Sequence, residues 1–328
     1  MTDQMQKEAE EALVKGASGA PLHGGRGAAE YLEIGIVNNM PDATLAATER
    51  QFKDLIGQAA LDMPVRLRFF ALAEIARGEG AAEHIGMHYG DVETLMRGRL
   101  HGLIITGCEP KAASLQDEPY WPSLARIIDW AARNTRSTIF SCLAAHAAAL
   151  HLDGIRRVPV GQKYSGVFDC AVLTDDPLTR GLGPDLRVPH SRLNDLETTA
   201  LAACGYEILT ASPRIGADIF VKRQESLFVF LQGHPEYDAE SLLREYRRDV
   251  TRFLRGERPN FPAIPEDYFD PLIEKHLAVF AERAAAGKSP HPHRELASLL
   301  DTVRPDKTWR ASAAGFYRNW LGQLTIGG

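Results

Sequence analysis

Ser137-Thr138-Ile139-Phe140-Ser141-Cys142-Leu143-Ala144-Ala145-His146 is the stretch whose reading decides the fold. A β-branched and aromatic run enters one cysteine, and an Ala/Leu-rich run leaves it. The first reads as a strand and the second as a helix. Strand, sharp turn with a nucleophile, then helix is the elbow of α/β acyl-transfer enzymes. Such a turn lifts the thiol above the sheet edge, and the helix N-terminus beneath it favours negative charge, which makes the thiolate more accessible. Cysteine attacks acyl carbonyls well because it is nucleophilic even when only partly ionised. Free cysteines are also commonly buried as small apolar residues, so packing stays open as an alternative role for Cys142 on this stretch alone.

Upstream, strands and helices alternate. Tyr31 to Val37 reads as the first strand, and the Asn38 to Asp42 loop leads to a helix over Thr44 to Ile56 with Leu45, Phe52, Leu55 and Ile56 at helical spacing. Val65 to Leu72 reads as a second strand, Val92 to Arg99 as a mostly polar helix, Leu103 to Gly107 as a third strand, and Tyr120-Trp121-Pro122 as the opening of another helix. This alternation predicts a mostly parallel sheet with helices on both faces, and in such sheets ligands sit outside the carboxyl ends of the strands. The loops with Asn39, Lys111 and Cys142 fall at that edge.

Downstream, strands are expected at Gly166 to Leu173, Tyr206 to Thr210, Asp218 to Lys222 and Leu227 to Gln232. Their short spacing predicts antiparallel strands added to the sheet or set beside it. The last run ends in Gly233-His234-Pro235-Glu236-Tyr237, and an Arg/Glu-rich helix follows from Asp238 to Leu254. Three regions result. Residues 1–29 are an Ala/Gly-rich tail, residues 30–254 the main domain, and residues 255–328 a helical C-terminal extension. An insertion at about 270–305, with an exposed helix over Asp270 to Ala286, belongs to that extension. Trp309, Phe316, Tyr317, Trp320 and Leu321 give the extension an apolar face to dock back on the domain.

The 328 residues are 45% hydrophobic and 24% charged, ordinary for a globular chain, and a net charge of -6 argues against a general nucleic-acid binder. No apolar run suits a membrane span or a signal peptide, so a cytoplasmic protein is expected. Cys108, Cys142, Cys170 and Cys204 form no Cys-x-x-Cys pair, which suggests neither a zinc knuckle nor a disulfide framework. No histidine pair has the His-Glu-x-x-His spacing, so no metal is expected.

A cysteine nucleophile needs a base, and the base needs an orienting group. His146 lies four residues past Cys142 on the presumed helix, points along it, and reads as structural. His234 ends an apolar strand, and Glu236 two residues on can fix its tautomer and stabilise the imidazolium. A polar turn closing a strand is the alternative for this short motif.

Taken together, the stretches resemble one family, the homoserine O-acyltransferases of the succinyltransferase type. The matching motifs are Asn39-Met40-Pro41, Thr48-Glu49-Arg50-Gln51-Phe52, Ile105-Thr106-Gly107, Tyr120-Trp121-Pro122, Lys163-Tyr164-Ser165-Gly166-Val167, Pro189-His190-Ser191-Arg192, Gln232 to Asp238 and Arg248-Asp249-Val250. The match runs from about Ile34 to Leu254 and resumes over Thr308-Trp309-Arg310 and Asn319-Trp320-Leu321. The resemblance implies a class I glutamine-amidotransferase-like (flavodoxin-like) α/β fold and a Cys142-His234-Glu236 triad. Cys142 would carry the acyl group as a thioester, with His234 as base and Glu236 orienting it. Lys163, Ser191 and Arg248 match positions that contact substrate, and by analogy with the fold the amides of Leu143 and Cys108 would form the oxyanion hole.

The family's donor choice follows the position of Lys111, where glycine goes with succinyl-CoA and glutamate with acetyl-CoA. Lysine is neither. An ammonium there suits the free carboxylate of a succinyl group, so succinyl transfer to L-homoserine is the expected reaction. Acetyl transfer, or acylation of a related hydroxy amino acid, is the alternative. Glutamine amidotransfer or hydrolysis, and a non-catalytic acyl-CoA or amino-acid sensor, are more distant ones. Acyl-CoA would be a co-substrate with no further cofactor, and a homodimer is expected.

Overall fold

The computed structural model describes residues 31–305 and 307–325, and the expected tail at 1–29 lies outside them. The first half alternates as the sequence predicts, with α2 and β3 as additions: β1 (Leu32–Val37), α1 (Asp42–Ala60), β2 (Val65–Phe70), α2 (Glu79–His88), β3 (Tyr89–Gly90), α3 (Val92–Met96), β4 (Leu100–Ile105), α4 (Trp121–Asn134), β5 (Thr135–Ser141) and α5 (Leu143–Asp153). The second half is mostly strand: β6 (Val158–Val172), β7 (Asp185–Asp195), α6 (Thr198–Ala203), β8 (Glu207–Ile208), β9 (Thr210–Ser212), β10 (Gly216–Ala217), β11 (Ile219–Arg223) and β12 (Leu227–Leu231). Helices α7 (Ser241–Leu254), α8 (Pro271–Ala285), α9 (Pro292–Asp301) and α10 (Arg310–Thr325) follow.

The main sheet has eight strands in the order β3-β2-β1-β4-β5-β12-β11-β8. Neighbours from β3 through β12 run parallel, while β11 and β8 add antiparallel pairs at one edge. A second sheet, β10-β9-β6-β7, is antiparallel. Both antiparallel placements expected from the sequence therefore occur. The Leu227 run pairs antiparallel with β11 as expected and makes a further pairing on its other side. β12 pairs in parallel with β5, Leu231 lying opposite Ser141, so the strand that leads to His234 is the direct neighbour of the strand that leads to Cys142. The Tyr206 to Thr210 run departs from the single strand expected there. It divides into β8 in the main sheet and β9 in the second, so it crosses between the sheets.

Apolar residues on both faces of the central strands explain why helices cover both sides. On one face Ile34, Ile36, Ile104 and Ile139 pack with Phe52 and Leu55 of α1 and with Phe316, Trp320 and Leu324 of α10. On the other, Leu103, Ile105, Phe140, Phe228 and Phe230 pack with Ile127 and Ile128 of α4 and the alanines of α5. A third cluster joins α7, α8 and α9 around Tyr246, Leu277, Phe280, Leu296 and Trp309. This corrects the exposed helix expected over 270–286: Leu277 and Phe280 of α8 are buried.

The C-terminal helix is part of the main core. Trp320 is fully buried and its indole N–H donates to Ser137 Oγ on β5 at 2.9 Å. Truncating this side chain removes a large apolar contact and leaves the Ser137 hydroxyl short of a partner. Trp320→Ala is expected to lower unfolding stability by about 3–5 kcal/mol, read from urea titration. A loss below about 1 kcal/mol would show that α10 is not part of the cooperative core.

Candidate active site

Cys142 sits where β5 stops and α5 starts. Its φ of 52° and ψ of -110° are values a side-chain-bearing residue rarely adopts, and such strain persists only where the surroundings enforce it. The enforcement is visible in the backbone. Cys142 N donates to Leu231 O on β12 at 2.7 Å, and Cys142 O accepts from Ala145 N at 3.0 Å. The first amides of α5, starting at Leu143, have no intrahelical carbonyl and lie beside the thiol. The turn after β4 comes against this point. A Cβ on Gly107 would stand 2.6 Å from Leu143 Cβ and 3.0 Å from Leu143 N, so only glycine allows the approach. The turn holding Cys108 is thereby brought to Leu143, the pair expected for the oxyanion hole. The Cys108 thiol itself is occupied with Tyr120, and burial holds it up to about 11.

His234 follows β12 directly. Its Nδ1–H donates to Glu236 Oε1 at 2.8 Å, and the Cys142 thiol is close enough for its charge to act on the ring. Burial of the ring opposes its charge, but the charges on Cys142 and Glu236 outweigh burial and hold His234 well above its ordinary value. The charges around His234 thus favour its imidazolium form. Glu236 is buried, also accepts from Ser141 Oγ at 3.4 Å, and keeps Oε2 without a hydrogen-bond partner among the described residues. The three expected residues therefore converge.

The substrate-contact candidates converge as well, on two acids that sequence reasoning did not single out. Lys163 Nζ lies 3.0 Å from Asp249 Oδ2 and 3.5 Å from Glu245 Oε2. Arg248 Nε donates to Asp249 Oδ1 at 3.1 Å, and the Ser191 hydroxyl donates to Glu245 Oε2. Tyr237 OH donates to Glu245 Oε1 at 2.7 Å while its ring stacks on His234 with centroids 4.3 Å apart. Burial would raise Glu245, but Lys163, Ser191 and Tyr237 outweigh it and hold the carboxyl low, so it stays charged. Glu245 and Asp249 stand one helical turn apart on α7. That i, i+4 spacing was the available signal.

Lys111 is exposed. Its backbone N–H, and that of Ala112, are held by the buried Glu118 carboxylate at 2.5 and 2.6 Å. A second cation unseen at sequence level is Arg157, half-buried in the loop after α5. Desolvation lowers it, and the charges that raise it are those of Tyr120, Glu118 and Cys142. His146 is buried, its Nε2 pairs with Gln232 Oε1 at 2.9 Å, and burial drives it down to about 3, so it is a neutral structural residue.

The fold is that of the glutamine-amidotransferase-like α/β proteins: a glutamine amidotransferase from Thermotoga maritima superposes with a TM-score of 0.50 at 11% identity, covering 90% of this chain and 99% of that one. The chain belongs to the homoserine O-succinyltransferase family, whose model matches residues 23–326 and so runs through the 270–305 segment that the sequence motifs left out. A relative named homoserine O-succinyltransferase from Bradyrhizobium japonicum is 49% identical over 96% of this chain and 97% of its own length. Another of that name, from Rhodopseudomonas palustris, is 50% identical over 90% of this chain and 88% of its own length.

The coupling of His234 to Cys142 has a direct spectroscopic consequence. In Cys142→Ala the His234 ring is expected to titrate at lower pH than in the wild type, because the charge that most favours the imidazolium is gone, as followed by NMR of the imidazole carbons. An unchanged titration would separate the thiol from the base.

Proposed function

We propose that this protein transfers a succinyl group from succinyl-CoA to the hydroxyl of L-homoserine through a thioester on Cys142. The observation that carries the chemistry is the Cys142 thiol held against His234, with Glu236 on the far ring nitrogen. The names of the 49% and 50% identical relatives support the choice of substrates.

In the first half-reaction the thiolate adds to the thioester carbonyl of the acyl-CoA. The oxyanion takes the amides at Leu143 and the Cys108 turn. His234 then gives its proton to the departing CoA sulfur, leaving neutral imidazole and acyl-Cys142. In the second, the homoserine hydroxyl gives its proton to His234 as its oxygen attacks the acyl carbon. Cys142 leaves as thiolate beside the protonated His234. Glu236 keeps Nδ1 protonated throughout, so the lone pair and the moving proton are always at Nε2.

The acceptor is a zwitterion. Its carboxylate suits Arg248 or Lys163, and its ammonium suits Glu245, whose carboxylate is already fixed one residue away from the base through Tyr237. The free carboxylate of the donor suits a cation near Cys142. Arg157 and Lys111 are the candidates, and Cys142 is among the groups whose charges act on Arg157. As part of this reading the enzyme is a cytoplasmic homodimer that takes acyl-CoA as co-substrate with no further cofactor. Among the described residues no helix is long and apolar enough to cross a membrane.

Intact mass after mixing the protein with equal succinyl-CoA and acetyl-CoA, without acceptor, is expected to show a succinyl adduct that is absent in Cys142→Ala. An acetyl adduct would overturn the donor, and no adduct would overturn the thioester. Glu236→Gln is expected to lower turnover by about 100-fold or more. In donor competition, Arg157→Ala is expected to lose succinyl-CoA more than acetyl-CoA, and Lys111→Glu to shift preference toward acetyl-CoA; an unchanged ratio in both would remove the charge argument.

A further inference from the structure

Beyond the triad, buried polar groups gather behind the His234 loop. His190 on β7, Asp218 between β10 and β11, and Cys170 on β6 are all fully buried, with ligand atoms within 4.8 Å of one another. Such donors suit a zinc ion in kind. The hydrogen bonding opposes it. Arg192 Nε donates to His190 Nδ1 at 3.3 Å, and a guanidinium only donates, so Nδ1 holds the lone pair and Nε2 the proton. Burial keeps the ring neutral. His190 therefore offers an N–H, not a ligand atom, toward Asp218, 3.2 Å from Oδ1 though without the alignment of a full hydrogen bond.

Asp218 in turn grips the base loop. Three consecutive amides are held from this side: Gln232 N donates to Asp218 O at 3.0 Å, Gly233 N to Asp218 Oδ1 at 3.2 Å, and His234 N to Pro189 O at 2.7 Å. Oδ2 is fixed by the Thr210 hydroxyl at 3.0 Å. The contact leaves no slack. A Cβ on Gly233 would lie 2.8 Å from His190 Nε2 and 2.9 Å from Asp218 Oδ1. Phe168 meets the His190 ring edge to face at 5.6 Å and closes the other side.

We infer that His190 and Asp218 are positioning residues for the reaction: the His190 N–H aims the Asp218 carboxylate at the Gly233 amide, and that bond sets where His234 stands relative to Cys142. The pair touches no reacting atom. This inference rests on the triad reading and not on the identity of the acyl donor.

Two substitutions separate the His190 contacts with Arg192 and Asp218. His190→Gln keeps a donor near the Nε2 position and loses the Arg192 partner; His190→Asn is too short to reach Asp218 but retains an acceptor for Arg192. Two rates are measured for each: single-turnover acylation by succinyl-CoA, and alkylation of Cys142 by iodoacetamide at pH 7, which needs no donor. His190→Asn is expected to slow both by about 10- to 100-fold with the donor KM unchanged, and His190→Gln to stay within about threefold of wild type. Equal rates in the two variants, or loss that follows only their melting temperatures, would overturn the inference. If succinyl-CoA fails to acylate even the wild type, the donor assignment falls, while the alkylation rates still decide the role of His190.

Discussion

The hydrogen bond from the Cys142 amide to the Leu231 carbonyl, 2.7 Å long, is the constraint on which the site depends. It closes the end of the parallel pair β5–β12, in register from Leu227 opposite Ser137 to Leu231 opposite Ser141. Parallel strands in register emerge at the same sheet edge, so the turn after one and the loop after the other start side by side. Cys142 and His234 are thereby brought together by backbone pairing, before any side chain contributes. A slip of one residue would turn every side chain of β12 to the opposite face and unmake both core and site. The unusual φ at Cys142 is stable because its amide is already committed to this bond.

Much of this was legible in the chain. The β-branched entry to Cys142 and the alanine-rich exit fix the elbow, and the spacing of His234 and Glu236 gives their contact. What stayed hidden has physical causes. β7 is not among the expected strands: its inward positions include Leu186, Val188, His190 and Arg192, and the last two break the apolar alternation while being buried all the same. Helix α2 has no buried residue, so it has no apolar stripe to read. β3 is two residues long. The antiparallel pairing of β12 with its chain neighbour β11 follows from their short spacing, whereas its parallel bond to β5 joins strands far apart in sequence and has no local signal. Glu245 and Asp249 were hidden in a helix where charges are usually solvated.

The site is assembled from opposed charges at short range. Glu236 faces His234, Glu245 and Asp249 face Lys163, and Asp249 also faces Arg248. A buried pair such as His234–Glu236 is weak evidence for stability, since desolvation offsets the attraction. The value of these charges lies in preorganisation: fixed dipoles and charges stand in for water, and need no rearrangement when charge develops on a reacting group. Tyr237 joins the two charge sets mechanically, one edge on the Glu245 carboxylate and one face on the His234 ring.

The C-terminal segment reaches into this arrangement from far along the chain. Trp309 Nε1 donates to Tyr237 O at 3.0 Å, Arg310 donates to Glu236 O at 3.4 Å, and α10 lies beneath β5. In a chain emerging residue by residue from a ribosome, the cysteine, histidine and glutamate are all outside well before these last supports exist. The order of synthesis thus delays these supports of the 236–237 backbone until α10 has docked, and a chain made only as far as α7 carries Cys142, His234 and Glu236 without them.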